Sequence, residues 1–180
     1  MTIRNKADSK TDYRKSYAEW FTREFRHARN LRPDIRGEQN ILRYLPLRHG
    51  GIALRLCGGE TLEQVQMVVE AATTVGTMLT VSFDKSHPLA NQLIKATPCL
   101  LEEESLNDFC AHIKKYERIR VISDNVPDQL TEAAAAAGKA LVQAAPVSNG
   151  RIELPRYLCE QSISNEYHRY GSQIEVPAVD

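Results

Sequence analysis

A mostly parallel β-sheet covered by helices is the fold class this sequence predicts, and three observations predict it. Strand-like and helix-like segments alternate from Gly51 to Pro146. The first strand–helix–strand run, Gly51 to Phe83, has the length of one βαβ unit. Helix starts and stops are marked by capping residues and glycines at the expected places. Such alternation implies a parallel sheet with helices on its faces, joined by right-handed crossovers.

Residues 1–10 are polar and read as a loose lead. From Asp12, the residues Tyr13, Tyr17, Trp20, Phe21 and Phe25 recur at helical spacing in the charged segment SYAEWFTREFRHARN. That spacing predicts a long amphipathic helix with an aromatic stripe, whose end is signalled by Pro33 and Gly37. GIALRLC (Gly51 to Cys57) predicts a strand that stops at Gly58-Gly59. In TLEQVQMVVEAATTVG, Thr61 and Gln64 have the spacing of a capping box, and Gly76 stands where a left-handed helix stop is expected. Its buried face should comprise Leu62, Val65, Val68, Val69 and Ala72. TMLTVSF (Thr77 to Phe83), rich in β-branched and apolar residues, predicts the next strand.

The pattern then repeats less cleanly. HPLANQLIKAT reads as a short helix and Cys99 to Leu101 as a strand. Ser105 caps LNDFCAHIKKY, with Leu106, Phe109, Cys110 and Ile113 on one face. RIRVIS (Arg118 to Ser123) predicts a strand, Pro127 opens the helix PDQLTEAAAAA, Gly138 closes it, and KALVQAAP supplies the last core strand. The expected architecture is a three-layer, Rossmann-like α/β domain over residues 11–150, including the N-terminal helix. An irregular tail or flap is expected over residues 151–180.

Composition removes several function classes. Lys+Arg 23 balance Asp+Glu 23, so no overall field draws in nucleic acid or membrane. No apolar run reaches the length of a membrane span, and MTIRNKADSK lacks the apolar stretch of a signal peptide. Cytoplasm is the expected compartment. Cys57, Cys99, Cys110 and Cys159 are scattered without a CxxC pair, so buried free thiols are expected, with no disulfide frame and no metal site.

The motifs that carry chemistry are missing. The turn CGGET lacks both glycine spacings that let backbone amides approach a phosphate, and Glu60 and Glu63 add like charge beside any bound anion. It reads as a tight turn into a capped helix. EEES precedes a helix whose dipole favours carboxylates, and the basic residues of HIKKYERIR are offset by acidic neighbours. No GxSxG or HExxH pattern occurs. The residues alone assign no catalytic, cofactor-binding or metal-ligating group. The tail differs: YLCEQSISNEYHRYG mixes tyrosines, hydroxyls and both signs of charge without core periodicity, as a contact surface does. Its candidate partner-contact residues are Tyr157, Glu160, Ser162, Tyr167, His168, Arg169 and Tyr170.

Three segments together resemble a known family: SYAEWFTREFRHARN with GEQNILRYLPL, the glycine turn, and GRIELPRYLCEQSISNEYHRYG. They resemble the C-terminal domain of the long L-glutamate γ-semialdehyde (pyrroline-5-carboxylate) dehydrogenases of proline catabolism. These belong to the aldehyde dehydrogenase superfamily and are often fused to proline dehydrogenase as proline utilization A. Gly150 to Leu154, Tyr157-Leu158, Glu160 to Ser164 and Tyr167 to Gly171 match the family's tail, and the likeness covers about residues 13–171. Cys159 and Ser172 depart from it, standing where arginine and asparagine are usual.

The middle resembles a decayed NAD-binding lobe. Gly58-Gly59-Glu60 and Ser82-Phe83 replace the family's cofactor signatures, and no cysteine has the Gly-Gln-x-Cys context of its nucleophile. The resemblance therefore implies a non-catalytic lid or assembly domain, inactive by itself. NAD would serve the parent enzyme, and FAD would enter if proline dehydrogenase is fused. The partner would be the dehydrogenase domain of the same polypeptide or of a neighbouring subunit in a homo-oligomer. The loose lead is expected to mark a domain cut from a longer reading frame. The alternative is a free-standing module that takes a small anion or nucleotide at the Gly58-Gly59 turn.

Overall fold

The aromatic stripe forms a helix in the computed structural model, which describes residues 12–31, 37–48, 50–96 and 99–166. Helix α1 (Asp12–Trp20) buries Tyr13 and Tyr17 one turn apart, with ring centroids at 5.6 Å. It widens into a π-type turn over Phe21–Phe25, closed by the Arg26 N–H on the Phe21 carbonyl at 2.9 Å. The wider turn brings Phe25 into the core, edge-on to Tyr44 at 5.0 Å. The expected longer helix stops there, because RHARN offers no large apolar side chain to extend the buried stripe. Arg29–Asn30 already belong to a short strand, β1.

The central sheet has the order β5-β4-β3-β6-β7 and is parallel throughout. Its strands are β3 (Ile52–Arg55), β4 (Leu79–Phe83), β5 (Leu100–Glu103), β6 (Arg118–Val121) and β7 (Ala140–Gln143). The three strands expected as parallel members of one sheet are adjacent at its centre. Helices α2 (Leu62–Val75), α3 (Ala90–Ala96), α4 (Leu106–Ala111) and α5 (Asp128–Ala136) make the crossovers.

Strand alternation sends side chains to two separate cores. Ile52, Leu54, Val81 and Phe83 pack on one side against α1, Val65, Val68 and Ala72 of α2, and Leu93 of α3. Ala53, Ile119 and Val121 point to the other, against Phe109 and Ile113 beside α4 and Leu130 and Ala134 of α5. The molecule is thus a three-layer α/β domain. The helix caps follow the sequence: Thr61 Oγ1 accepts from Gln64 N–H at 3.2 Å, Gln64 Oε1 accepts from Thr61 N–H at 2.8 Å, and Gly76 is left-handed at φ 76°.

The C-terminal segment corrects the expected irregular flap. Residues Gly150–Glu153 form helix α6, Leu154–Tyr157 a 3₁₀ turn, and Leu158–Glu166 strand β8. Leu154, Tyr157 and Leu158 are buried in the same core as α1 and α2. Beyond Leu158, β8 pairs antiparallel with β2 (Glu38–Pro46) over nine residues, from Pro46↔Leu158 to Glu38↔Glu166. Together with β1 they form a second, three-stranded sheet in the order β1-β2-β8. A backbone ladder therefore orders a segment whose side chains carry no apolar alternation. Residues 167–180 lie outside the described residues.

Candidate functional site

The chain leaves β3 towards β4 on one side, while β6 and β7 extend the sheet on the other. At such a reversal the connections diverge and leave a crevice at the carboxyl ends of the strands. Here a cleft of about 320 Å³ occupies that region, bounded by Arg55, Cys57, Gly58, Asp84, His87 and Leu106, among others.

The glycine turn after β3 is already filled. Glu60, whose side chain is fully buried, accepts from the Cys57 N–H at 2.7 Å and the Gly58 N–H at 2.9 Å. His87 Nε2 lies 3.1 Å from the same carboxylate, and His87 Nδ1 accepts from the Leu89 N–H at 3.2 Å. With Nδ1 accepting, Nε2 carries the proton that faces Glu60. The sequence placed Glu60 beside the turn as a source of like charge; in the structure its carboxylate is itself the anion that the turn amides bind. His87 was not singled out, since its partner lies 27 residues away in sequence.

Arg55 ends β3 on the α4 side of the sheet. Its Nη1 donates to Ser82 Oγ at 2.8 Å and to the Glu104 carbonyl at 3.0 Å, and its guanidinium lies 5.5 Å from the Phe109 ring centroid. Ser82 Oγ in turn donates to Glu104 Oε1 at 2.7 Å. Nearby, Asp84 Oδ1 accepts from both Ser86 Oγ and Ser86 N–H, which together with the Arg55 charge hold this carboxyl below its usual range.

Glu102, Glu104 and His112 place three donor atoms within 4.8 Å of one another beside β5. Their chemistry would suit a divalent cation. Lys115 Nζ, however, already pairs with Glu102 at 2.8 Å, and the Tyr116 hydroxyl donates to it at 3.0 Å. Burial, aided by the Glu102 charge, pushes the Tyr116 hydroxyl up to about 12. The four cysteines are free. Burial pushes the thiols of Cys57 and Cys99 up to about 11, the Glu60 charge adding to the first. Both are protonated at neutral pH and are poor nucleophiles. Cys159, expected to be buried, is exposed on β8.

The candidate contact residues of the tail separate into three groups. Tyr157 is buried in its own domain: its hydroxyl donates to Glu153 at 2.8 Å, and its carbonyl accepts from Thr77 Oγ1 at 2.6 Å. Glu160 and Ser162 are exposed on β8, opposite Tyr44 and Leu42 of β2. Tyr167, His168, Arg169 and Tyr170 lie outside the described residues. Strand β8 ends its sheet, so among the described residues its outer edge has no strand partner.

A parallel sheet in this order, helix-covered on both faces and creviced at its reversal, is a Rossmann-like fold. Among solved structures the chain is similar to Proline Utilization A (PutA) from Corynebacterium freiburgense, with a TM-score of 0.58 and 22% identity over 94% of this chain. It is also similar to succinate-semialdehyde dehydrogenase from Burkholderia pseudomallei, with a TM-score of 0.49 and 17% identity over 72% of this chain and 30% of that one. The chain spans 16% of the PutA chain. PutA is also the protein whose C-terminal domain the sequence motifs resemble. No family model and no curated protein matches the chain.

Proposed function

We propose that this chain is a non-catalytic cover and assembly domain of an NAD-dependent aldehyde dehydrogenase of the PutA kind, acting in L-glutamate γ-semialdehyde oxidation. The observation that carries the reading is the outer edge of β8, which among the described residues pairs with no strand and on which Glu160 and Ser162 are exposed. An unpaired strand edge is a template for pairing with another chain or domain. The partner in this reading is the dehydrogenase domain of the same polypeptide or of a neighbouring subunit in a homo-oligomer. NAD belongs to that domain, and FAD to a proline dehydrogenase where one is fused.

The cleft supports the non-catalytic half of the reading. The amides that would hold a phosphate already bind Glu60, and the thiols of Cys57 and Cys99 are protonated. The same filled turn weighs against the alternative of a free-standing module that holds an anion on Gly58-Gly59. Among the described residues no helix is long and apolar enough to cross a membrane.

Lysines on an edge strand block strand addition without disturbing a core. Ser162→Lys with Ser164→Lys in the full enzyme should therefore lower aldehyde oxidation or shift the assembly to smaller species by light scattering. The isolated chain carrying them should melt as the parent does. An unchanged enzyme in both respects, or NAD-dependent aldehyde oxidation by this chain alone, would overturn the reading.

A further inference from the structure

We propose that the cleft at the carboxyl ends of β3 and β4 binds a small zwitterion of the α-amino acid class, with its carboxylate on Arg55 and its ammonium on Asp84. The inference does not depend on the assembly role above. It starts from Arg55, a guanidinium in a residue only 3% exposed. Among the described residues no carboxylate forms an ion pair with it; Glu104 accepts from it through its backbone carbonyl, and the Glu104 carboxylate reaches it only through the Ser82 hydroxyl. Its Nε is buried and has no hydrogen-bond partner. A buried charge left in that condition is costly unless something else completes it. Arg55 lines the cleft, so an anionic group there can supply the counter-charge its guanidinium lacks.

The other polar side chains of the wall decide the ligand's charge. His87 uses Nδ1 on the Leu89 N–H and Nε2 on Glu60. The Ser86 hydroxyl donates to Asp84, and the Cys57 and Gly58 amides bind Glu60. Among the described residues what remains is one charged donor, Arg55, and one charged acceptor, Asp84, whose Oδ1 is bonded to Ser86 while Oδ2 is left over. A phosphate would satisfy Arg55 but face the carboxylate of Asp84. A bare cation would satisfy Asp84 and face Arg55. A molecule carrying both charged groups on one carbon suits both, and its side chain meets the apolar wall of Leu56, Pro88, Leu106 and Pro127. The volume of about 320 Å³ lies at the small end of ligand sites and excludes a dinucleotide.

The test titrates the purified full chain by NMR with the common α-amino acids, with acetate and with inorganic phosphate. At least one amino acid should bind more tightly than about 10 mM, and acetate, lacking the ammonium, about tenfold more weakly. Asp84→Asn, on an exposed turn, should reduce amino-acid binding to the acetate level and leave acetate binding undiminished. Arg55→Lys should weaken both, because a lysine cannot present the planar fork. Should Arg55→Lys fail to fold, Asp84→Asn and the acetate comparison still decide. No amino acid bound at that concentration, phosphate bound as tightly, or an Asp84→Asn variant with unchanged affinity would each overturn the proposal.

Discussion

Glu153 is the residue on which the C-terminal segment hangs. Fully buried, it accepts from Arg120 Nη2 at 2.6 Å, Tyr157 hydroxyl at 2.8 Å and Val147 N–H at 3.1 Å, and Arg156 pairs with it as well. Arg120 is 1% exposed, and among the described residues its Nε and Nη1 have no hydrogen-bond partner, so Glu153 carries most of its compensation. Glu153→Gln leaves that guanidinium buried without a counter-charge and should cost about 3–5 kcal/mol in denaturant unfolding. A loss below about 1 kcal/mol would mean that water or another group completes Arg120. The half-buried thiols give a second expectation. Cys57 and Cys99 titrate near 11 in the folded protein, above the roughly 8.5 of an unfolded chain. Folding therefore favours their protonated form, and the stability this contributes is fully present below about pH 8.5 and lost as pH rises through 11. The melting temperature should fall across that window, and Cys57→Ser with Cys99→Ser should flatten the fall.

At the scale of elements, α2 illustrates what a sequence specifies well. Its capping box is local, its buried face is periodic and its stop is a left-handed glycine, so every signal lies within the helix itself. Thr61→Ala should cost about 1 kcal/mol by thermal or denaturant melting, since it removes one cap and leaves the fold in place. Gly51 belongs to a different class: at φ +62° a Cβ would stand 2.1 Å from the Met78 carbonyl oxygen. Gly51→Ala should cost more than about 2 kcal/mol, because strain and a backbone clash add. The central strands were legible because residues such as Ile52, Leu54 and Val81 form short apolar runs. Strands β2 and β8 were not: neither face of their ribbon is deeply buried, so EQNILRYLP and LCEQSISNE show no period, and each depends on a partner far along the chain. The candidate site was half legible. Glu60 stood out beside its turn, but its role emerged only with His87. The signal for Arg55 is that it is the only charge in the run GIALRLC.

For the molecule as a whole, the two sheets share one core through Tyr157 and Leu158. Were residues 151–180 an irregular flap, cutting after Leu154 would cost the isolated domain little stability. With Tyr157 and Leu158 buried and β2 left with only the two-residue β1 beside it, such a cut should instead abolish cooperative unfolding, which calorimetry would show as a lost transition. Cofactor binding is the complementary test: calorimetric titration of this chain with NAD should show no binding tighter than about 0.1 mM, since Glu60 occupies the phosphate position. The long reach of the β2–β8 ladder also sets an order in time. As a ribosome makes this chain at about 5–20 residues per second, β2 emerges and then waits on the order of ten seconds for β8. Through that interval Ile41, Leu42 and Leu45 sit on a strand with an uncovered edge, a surface that chaperones or neighbouring nascent chains can meet first. The strand that closes the small sheet is made long after the one it pairs with, so a chain stalled or cleaved before Leu158 keeps that edge open for as long as it survives.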